Sequence, residues 1–161
     1  MNSIKIRSIQ AKDNPEIAKV IREVLIGLGV PKVGTAYADP SLDSLHEDYQ
    51  DPRSNYFVFE GDQKILGGAG IAPLSGENDS ICELQKMYFL DQARGKGWGQ
   101  MMMDKCLTFA QENNFKEVYI ETLPSMKAAQ NLYLKNGFEY IDKRLGNTGH
   151  FSCTVWMLKK F

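Results

Sequence analysis

A glycine-rich segment, Arg94-Gly95-Lys96-Gly97-Trp98-Gly99, lies between a β-like run and a long helical pattern. Glycine lets the backbone turn tightly and come close to a ligand. The first turn of the following helix adds unpaired backbone N–H groups and the positive end of the helix dipole. Arg94 and Lys96 add formal positive charge. Together these features predict a binding site for a phosphate or pyrophosphate group.

Two well-known phosphate-binding motifs do not fit this segment. No Gly-Lys-Ser/Thr closes it, so it is not a P-loop. Its glycines are spaced G-x-G-x-G rather than G-x-G-x-x-G, and the strands before it are predicted to be antiparallel. Both points argue against a dinucleotide-binding Rossmann unit. A tight strand-to-helix connection with exposed charges is the alternative to an anion site.

Hydrophobic periodicity and turn residues predict the elements that position this segment. Strands are predicted at residues 4–8, 56–60, 64–72, 81–90, 118–122, 138–142 and 151–158. Helices are predicted at residues 15–28, 39–49, 98–113 and 125–136. The order is β-α-α-β-β-β-α-β-α-β-β, with no repeat and no linker. We therefore expect one α/β domain over residues 1–161, built on a mixed sheet.

Composition excludes several classes of protein. Of the 161 residues, 43% are hydrophobic and 24% charged, as in an ordinary globular domain. The net charge is −1, whereas nucleic-acid-binding proteins usually carry a basic excess. No apolar run suits a signal peptide or a membrane helix, so we expect no membrane association. Three widely spaced cysteines without a CxxC pair fit a reducing cytoplasm, and two separated histidines do not make a metal site.

The sequence resembles the GNAT superfamily of acetyl-CoA-dependent N-acetyltransferases. The family signature [Arg/Gln]-x-x-Gly-x-[Gly/Ala] is matched by Arg94, Gly97 and Gly99. The stretch Ala129-Gln130-Asn131-Leu132-Tyr133-Leu134-Lys135-Asn136-Gly137-Phe138 is similar to its second motif, A-x-x-x-Y-x-x-x-G-F, and Glu83-Leu84-Gln85-Lys86-Met87-Tyr88-Phe89 is similar to its central strand. The resemblance implies an α/β (α+β mixed) GNAT-like fold, with a mixed, mostly antiparallel sheet flanked by about four helices.

The resemblance also implies that the chain binds acetyl-CoA and releases coenzyme A. The CoA diphosphate is expected on the glycine-rich turn, at Arg94, Gly95, Lys96, Gly97, Trp98, Gly99 and Gln100. The backbone of Met87, Tyr88 and Phe89 is expected to pair with the pantetheine arm, and the N–H of Phe89 to polarise the thioester carbonyl. Met126 stands where the family often has Asn, so Asn131 is a candidate for the missing contact.

Transfer to an amine requires a group that takes a proton from the ammonium and a group that protonates the leaving thiolate. The resemblance assigns the first role to Glu83, which lies six residues before Phe89 and is expected on the same strand face. It assigns the second role to Tyr133, the tyrosine of the second motif. The alternatives are a polar strand residue for Glu83 and a core tyrosine for Tyr133.

The resemblance places the acceptor pocket at residues 33–39 and 146–151. Glu83, Tyr37 and His150 are candidate substrate contacts; the alternatives are a loop anchor for Tyr37 and a solvated histidine for His150. A small-molecule primary amine, attacking directly in a ternary complex, is the leading expectation, and a protein N-terminus or lysine is the alternative. A non-catalytic acyl-CoA sensor would need the glycine-rich turn but neither Glu83 nor Tyr133. Homodimers are common in the family, so a homodimer is a candidate assembly.

Overall fold

The protein, described over residues 3–161 by a computed structural model, has seven strands and four α-helices. The strands are Ile4–Ser8 (β1), Asn55–Gly61 (β2), Lys64–Pro73 (β3), Ile81–Phe89 (β4), Glu117–Thr122 (β5), Glu139–Ile141 (β6) and Val155–Lys160 (β7). The helices are Asn14–Gly27 (α1), Leu45–Asp48 (α2), Trp98–Glu112 (α3) and Lys127–Lys135 (α4). The strands form one sheet in the order β1-β2-β3-β4-β5-β7-β6, in which only the β4–β5 pair is parallel within this range. The predicted element order and the mostly antiparallel sheet are confirmed.

Helices cover both faces of the sheet because each carries an apolar stripe. α1 starts with Pro15, whose fixed φ and missing N–H suit a first helical turn, and it buries Ile17, Ile21 and Leu25. This stripe packs with α2 over β2 and β3. On the opposite face, α3 and α4 bury a second stripe that includes Met102, Met103, Cys106 and Tyr133. The sheet is therefore a buried central layer that can hold a site between its strands.

Two predicted boundaries are wrong. The last strand begins at Val155 rather than at residue 151, because residues 150–152 turn away and Ser152 N–H donates to the Gly34 carbonyl at 3.0 Å. The predicted helix over residues 39–49 is a 3-10 turn, Pro40–Ser44, followed by the single α-helical turn of α2. Both differences arise where a loop makes tertiary contacts that the local pattern does not contain.

A β-bulge interrupts β4 at Lys86. Here Lys86 and Met87 together oppose the single residue Ala69 of β3. Lys86 takes a left-handed backbone conformation with φ of 50°, which is uncommon for a residue with a side chain. The hydroxyl of Tyr56 donates to the Lys86 carbonyl at 2.8 Å and holds the bulge in place. A bulge of this kind bends the strand and increases its local twist.

Because of this bulge, the prediction that Glu83 and Phe89 share a strand face is wrong. One extra residue between them reverses the side-chain alternation, so the two side chains lie on opposite faces. Phe89 packs with Leu84 in the core beneath α3. Glu83 is on the opposite side with Gln85, whose amide accepts a hydrogen bond from Tyr49 in the core beneath α1.

The sheet opens between β4 and β5. These parallel strands pair only where residues 81–83 face residues 117–119. Beyond that point β4 stays paired with β3 as far as Phe89, and β5 stays paired with β7 as far as Thr122. The facing edges of the two strands therefore separate in the middle of the sheet and leave backbone groups without a strand partner there.

Candidate active site

A cavity of about 300 Å³ lies where β4 and β5 separate. Its walls come from the end of β4, the end of β5, the start of α4 and the end of α1. The residues that line it include Lys86, Phe89, Arg94, Gly99, Glu121, Met126, Lys127, Tyr133 and Cys153. The cavity thus connects the glycine-rich turn with the interior of the sheet.

The glycine-rich turn has the geometry of an open anion site. Gly95 and Gly97 have φ of 73° and 81°, in the left-handed region that glycine favours. A Cβ placed on either residue would meet no heavy atom within 4 Å, so the turn faces open space. Gly97 is the N-cap of α3 and supplies no capping side chain, which leaves the N–H groups of the first turn available. The turn therefore fits a diphosphate.

Arg94 connects this turn to β4. Its guanidinium forms an ion pair with Asp91 at 2.9 Å, and its Nε donates to the Phe89 carbonyl at 3.2 Å. The side chain is 44% exposed and borders the cavity. Because an exposed ion pair of this kind is weak, Arg94 can turn its remaining N–H donors toward an anion at small cost.

Two other residues of the turn are engaged with the protein. Trp98 stacks on Phe59 with ring centroids 4.8 Å apart, and Lys96 lies over the Trp98 ring. The Gln100 side chain exchanges two hydrogen bonds with Asn136, at 2.8 and 2.9 Å, and so ties α3 to the end of α4. For Gln100, only the backbone N–H in the first turn of α3 is left for a ligand.

The exposed edge of β4 presents the backbone of Phe89. The N–H of Leu90 donates to the Leu66 carbonyl of β3 at 2.9 Å. Successive residues of a strand direct their backbone groups to opposite sides, so the N–H of Phe89 points away from β3. The contact between Arg94 and the Phe89 carbonyl lies on that same side. This N–H is thus aimed at the opening between the strands, where an oxyanion donor was expected.

Glu83 is a buried carboxyl group with a raised pKa. It is 6% exposed, and burial raises its pKa to about 7. The hydrogen bond that Gln85 donates to it at 2.7 Å acts in the opposite direction and lowers the pKa. Gln85 is held by Tyr49, whose ring lies within 2.8 Å of the place where a Cβ on Gly70 would be. Only glycine at position 70 leaves room for this arrangement. Glu83 itself does not border the cavity, although Leu84 and Lys86, which follow it on β4, do.

Tyr133 lines the cavity from α4. The side chain is buried, and its ring packs on Phe138 at 5.9 Å. Burial raises the pKa of Tyr133 well above its usual value, so the phenol stays protonated at neutral pH. Its hydroxyl makes no hydrogen bond to another residue of the described chain. Tyr133 therefore has a proton to donate and no internal partner for it.

A cluster of three charged or ionisable side chains joins the two predicted acceptor loops to β4. His150 Nε2 lies 2.8 and 3.0 Å from the two carboxylate oxygens of Asp39. Lys86 Nζ lies 2.9 Å from the same carboxylate, and its side chain is 7% exposed. The structure thus places His150 close to the site but bound to Asp39 rather than solvated. Asp39 carries no local sequence signal for this role, because its partner His150 is 111 residues away.

Glu121 is a functional candidate that the sequence analysis missed. It borders the cavity from β5 opposite β4, and its side chain is 1% exposed. Arg144 pairs with it at 2.9 Å, and the hydroxyls of Tyr119 and Thr148 donate to it. An acidic residue inside an otherwise apolar β-run was the signal that could have identified it.

Tyr37 and Asn131, two further predicted site residues, do not border the cavity. Tyr37 is half-buried, packs against the core beneath α1 and carries Lys32 over its ring at 5.3 Å. Asn131 is exposed on α4. Met126 borders the cavity instead, and its sulfur accepts a hydrogen bond from Thr122 at 3.3 Å.

Between residues 3 and 161 no three His, Cys, Asp or Glu side chains are grouped so as to hold a metal ion. None of the helices in the described part of the chain has the length and apolar character required to cross a membrane.

Comparison with known proteins gives relatives over most of the chain. The family model described as acetyltransferase (GNAT) family matches residues 25–138. The chain is 45% identical over 156 residues to the uncharacterized N-acetyltransferase YjgM of Escherichia coli (strain K12), covering 96% of this chain and 93% of that protein. It is 32% identical over 127 residues to the N-acetylaspartate synthetase of Danio rerio, covering 75% of this chain and 43% of that protein.

Solved structures share the fold. An acetyltransferase of the GNAT family from Staphylococcus aureus Mu50 has a TM-score of 0.84 at 19% identity, covering 98% of this chain and 99% of that chain. The N-acetylglutamate synthase of Neisseria gonorrhoeae, complexed with coenzyme A and N-acetyl-glutamate, has a TM-score of 0.75 at 15% identity, covering 98% of this chain and 35% of that chain. The expected fold class is confirmed.

The raised pKa of Glu83 predicts a specific pH dependence of stability. Folding takes up a proton at Glu83 between the pKa of an unfolded glutamate, near 4.5, and the folded value of about 7. Stability is therefore lost as the pH rises through this window. Between pH 5 and pH 8 the free energy of unfolding of the wild-type protein should decrease, and Glu83 should account for roughly 2–3 kcal/mol of this decrease. In Glu83→Gln the decrease should be smaller by that amount, as measured by urea unfolding.

Glu77→Gln provides the control, because Glu77 is exposed in the β3–β4 turn. It should follow the wild-type pH dependence. If Glu83→Gln follows it as well, Glu83 does not titrate near neutral pH.

Proposed function

The chain belongs to the GNAT acetyltransferase family, and on this premise we propose that it moves the acetyl group of acetyl-CoA to a primary amine of a small molecule. Membership makes it an N-acetyltransferase that uses an acyl-CoA. The proposal adds the acetyl group, the small acceptor and direct attack in a ternary complex. The observation that carries it is the cavity between β4 and β5, which touches Gly99 of the glycine-rich turn and also reaches Glu121.

The proposed cofactor site uses backbone groups more than side chains. The N–H groups of the first turn of α3, with Arg94 and Lys96, would hold the diphosphate. The unpaired edge of β4 at Met87, Tyr88 and Phe89 would hold the pantetheine arm as a neighbouring strand would. Acetyl-CoA, when bound, supplies the acetyl group as a thioester that an amine can attack.

Glu83 is the proposed general base. Its pKa of about 7 allows it to accept a proton at neutral pH and to release it again. One of its oxygens, Oε2, has no hydrogen-bond partner among residues 3–161. Because Glu83 does not border the cavity, a water molecule would carry the proton from the ammonium to it.

Glu121 is better suited to bind the ammonium than to deprotonate it. Its two oxygens already accept from Arg144, Tyr119 and Thr148, so they are held by three donors. Glu121 borders the cavity, where its oxygens can accept a further hydrogen bond from an ammonium group.

The remaining steps use one backbone N–H and one phenol. The N–H of Phe89 would donate to the carbonyl oxygen as negative charge develops on it, which stabilises the transition state more than the ground state. Tyr133 would give its proton to the leaving sulfur, since its hydroxyl is protonated and unpartnered in the cavity. The ammonium gives up two protons in forming the amide: one passes to Glu83 and on to solvent, and the second replaces the proton that Tyr133 gives to the sulfur, so the transfer releases one proton.

The acceptor is proposed to be small because the cavity is narrow. A volume of about 300 Å³ must hold the reacting end of the cofactor as well as the acceptor. The relative from Danio rerio is named for an acetylated small amino acid, which supports a small-molecule amine over a protein.

Three further expectations remain part of the proposal. Residues 1–161 are proposed to act as a single acetyltransferase domain, and a homodimer is the candidate assembly. A cytoplasmic location is proposed because Cys82, Cys106 and Cys153 are free and buried, as in a reducing compartment.

Binding of acetyl-CoA should raise the melting temperature. At a hundredfold excess over Kd we expect a rise of about 5–10 °C. Gly97→Glu should abolish this rise, because it places a carboxylate in the anion site. Differential scanning fluorimetry measures both effects.

Gly29→Glu is the matched control for this experiment. Gly29 also has a left-handed φ, of 67°, and open space around its Cβ position, but it follows α1 and does not border the cavity. The variant should carry the same backbone strain and keep the rise. A wild-type protein with no rise at saturating acetyl-CoA would contradict the proposal.

The pH profile of kcat/KM separates the two proposed catalytic groups. Glu83 acts as a base only when ionised, so the wild-type rate should increase as the pH rises through about 7. Glu83→Gln should lower kcat/KM by about 10²–10⁴-fold above pH 7 and remove this inflection. Tyr133→Phe should lower kcat by about 10²-fold or more and keep the inflection.

Glu121→Gln is the control that distinguishes the two carboxylates. It should keep the inflection near pH 7 whatever its effect on the rate. An inflection that survives in Glu83→Gln and disappears in Glu121→Gln would make Glu121 the base. Full kcat in Tyr133→Phe would eliminate the acid role of Tyr133.

A further inference from the structure

Lys86 is a buried cation with unused hydrogen-bonding capacity. Its side chain is 7% exposed and borders the cavity. Of the residues described, only Asp39 contacts its Nζ, at 2.9 Å. An ammonium group carries three N–H donors, so two of them lack a protein partner. Because an unpaired buried donor is costly, a partner in the cavity would stabilise this side chain.

Asp39 does not satisfy all the N–H donors of the Lys86 ammonium. Its carboxylate is shared between Lys86 and His150, whose Nε2 contacts both oxygens. The Asp39 carboxylate is therefore divided between two partners, and the Lys86 ammonium keeps N–H donors that can bind an anionic oxygen.

The ammonium is not needed to hold the bulge. The backbone at Lys86 is already fixed by Tyr56, whose hydroxyl donates to the Lys86 carbonyl, and by the pairing of β4 with β3 on both sides. A buried ammonium on a residue that borders the cavity therefore has a role other than backbone support.

Positive and negative groups lie close together at this end of the cavity. Lys86 of β4 and Glu121 of β5 both border the cavity, and Glu83 lies three residues before Lys86 on β4. Glu83 and Glu121 suit an ammonium group, and Lys86 suits a carboxylate. An α-amino acid presents these two groups separated by one carbon atom.

We propose that Lys86 binds the carboxylate of the acceptor and that the acceptor is an α-amino acid, acetylated on its α-amino group. This proposal rests on the proposed function and names its acceptor class. Lys86 is a specificity-determining residue in this assignment, and Glu83 keeps its role as the base. Amines without the acid group leave the two free donors of Lys86 unpaired.

The test compares several L-amino acids with their own amides, for example leucine with leucinamide, by following thiol release with acetyl-CoA. The amide removes the charge and keeps the size. Its α-amino group loses a proton more readily, so intrinsic reactivity favours the amide and an observed preference for the acid reflects recognition. The wild-type protein should prefer the acid by about ten- to a hundredfold in kcat/KM.

Lys86→Met should reduce this preference by about the same factor, mainly through KM for the acid. Lys127→Met is the matched control, since it removes an exposed cation from the same cavity and should keep the ratio of acid to amide. A shift of the melting temperature by acetyl-CoA verifies that each variant is folded and binds cofactor.

Equal use of acids and amides by the wild-type protein overturns the assignment, whether or not Lys86→Met folds. A loss of kcat/KM in Lys86→Met that is the same for the acids and for the amides overturns it as well. In either of these cases transfer to amines still occurs, so the proposed function is retained while this assignment fails. Absence of transfer to every amine overturns the proposed function and this assignment together.

Discussion

The separation of β4 from β5 after Glu83 is the feature on which the rest of the structure depends. Backbone groups inside a sheet normally pair with a neighbouring strand, and unpaired ones are costly when water is excluded. Here the two strands keep their outer partners, β3 and β7, and lose each other. The bulge at Lys86 bends β4 where the strands part. A ligand that lies in the gap and pairs with β4 restores the missing partner.

This opening also explains how a nearly neutral protein can bind an anionic cofactor. With a net charge of −1, no general positive field is available. The attraction must be local, and in the proposed function it comes from one turn, where the first N–H groups of α3 lie beside Arg94 and Lys96. Burial also keeps Glu83 of β4 and the cavity-lining Tyr133 in protonation states that suit proton transfer near neutral pH.

Much of the fold could be predicted from the sequence because its signals are local. Hydrophobic periodicity and glycine positions gave the element order, and the glycine-rich turn lies at the predicted strand-to-helix junction. The face of Glu83 could not be predicted, because a left-handed lysine that reverses the alternation has no sequence signature. The pairing of Asp39 with His150 depends on residues 111 apart, and the engagement of Gln100 with Asn136 on residues 36 apart. Such contacts appear only when the chain has folded.

The central claim is that the free edge of β4 and the first turn of α3 together hold the cofactor. Backbone amide hydrogen exchange with and without saturating coenzyme A tests it most directly, because it reports on individual N–H groups. We expect slower exchange at Phe89 and at the amides of Trp98, Gly99 and Gln100 when the cofactor is bound. Coenzyme A that binds while these amides exchange at unchanged rates would contradict the claim.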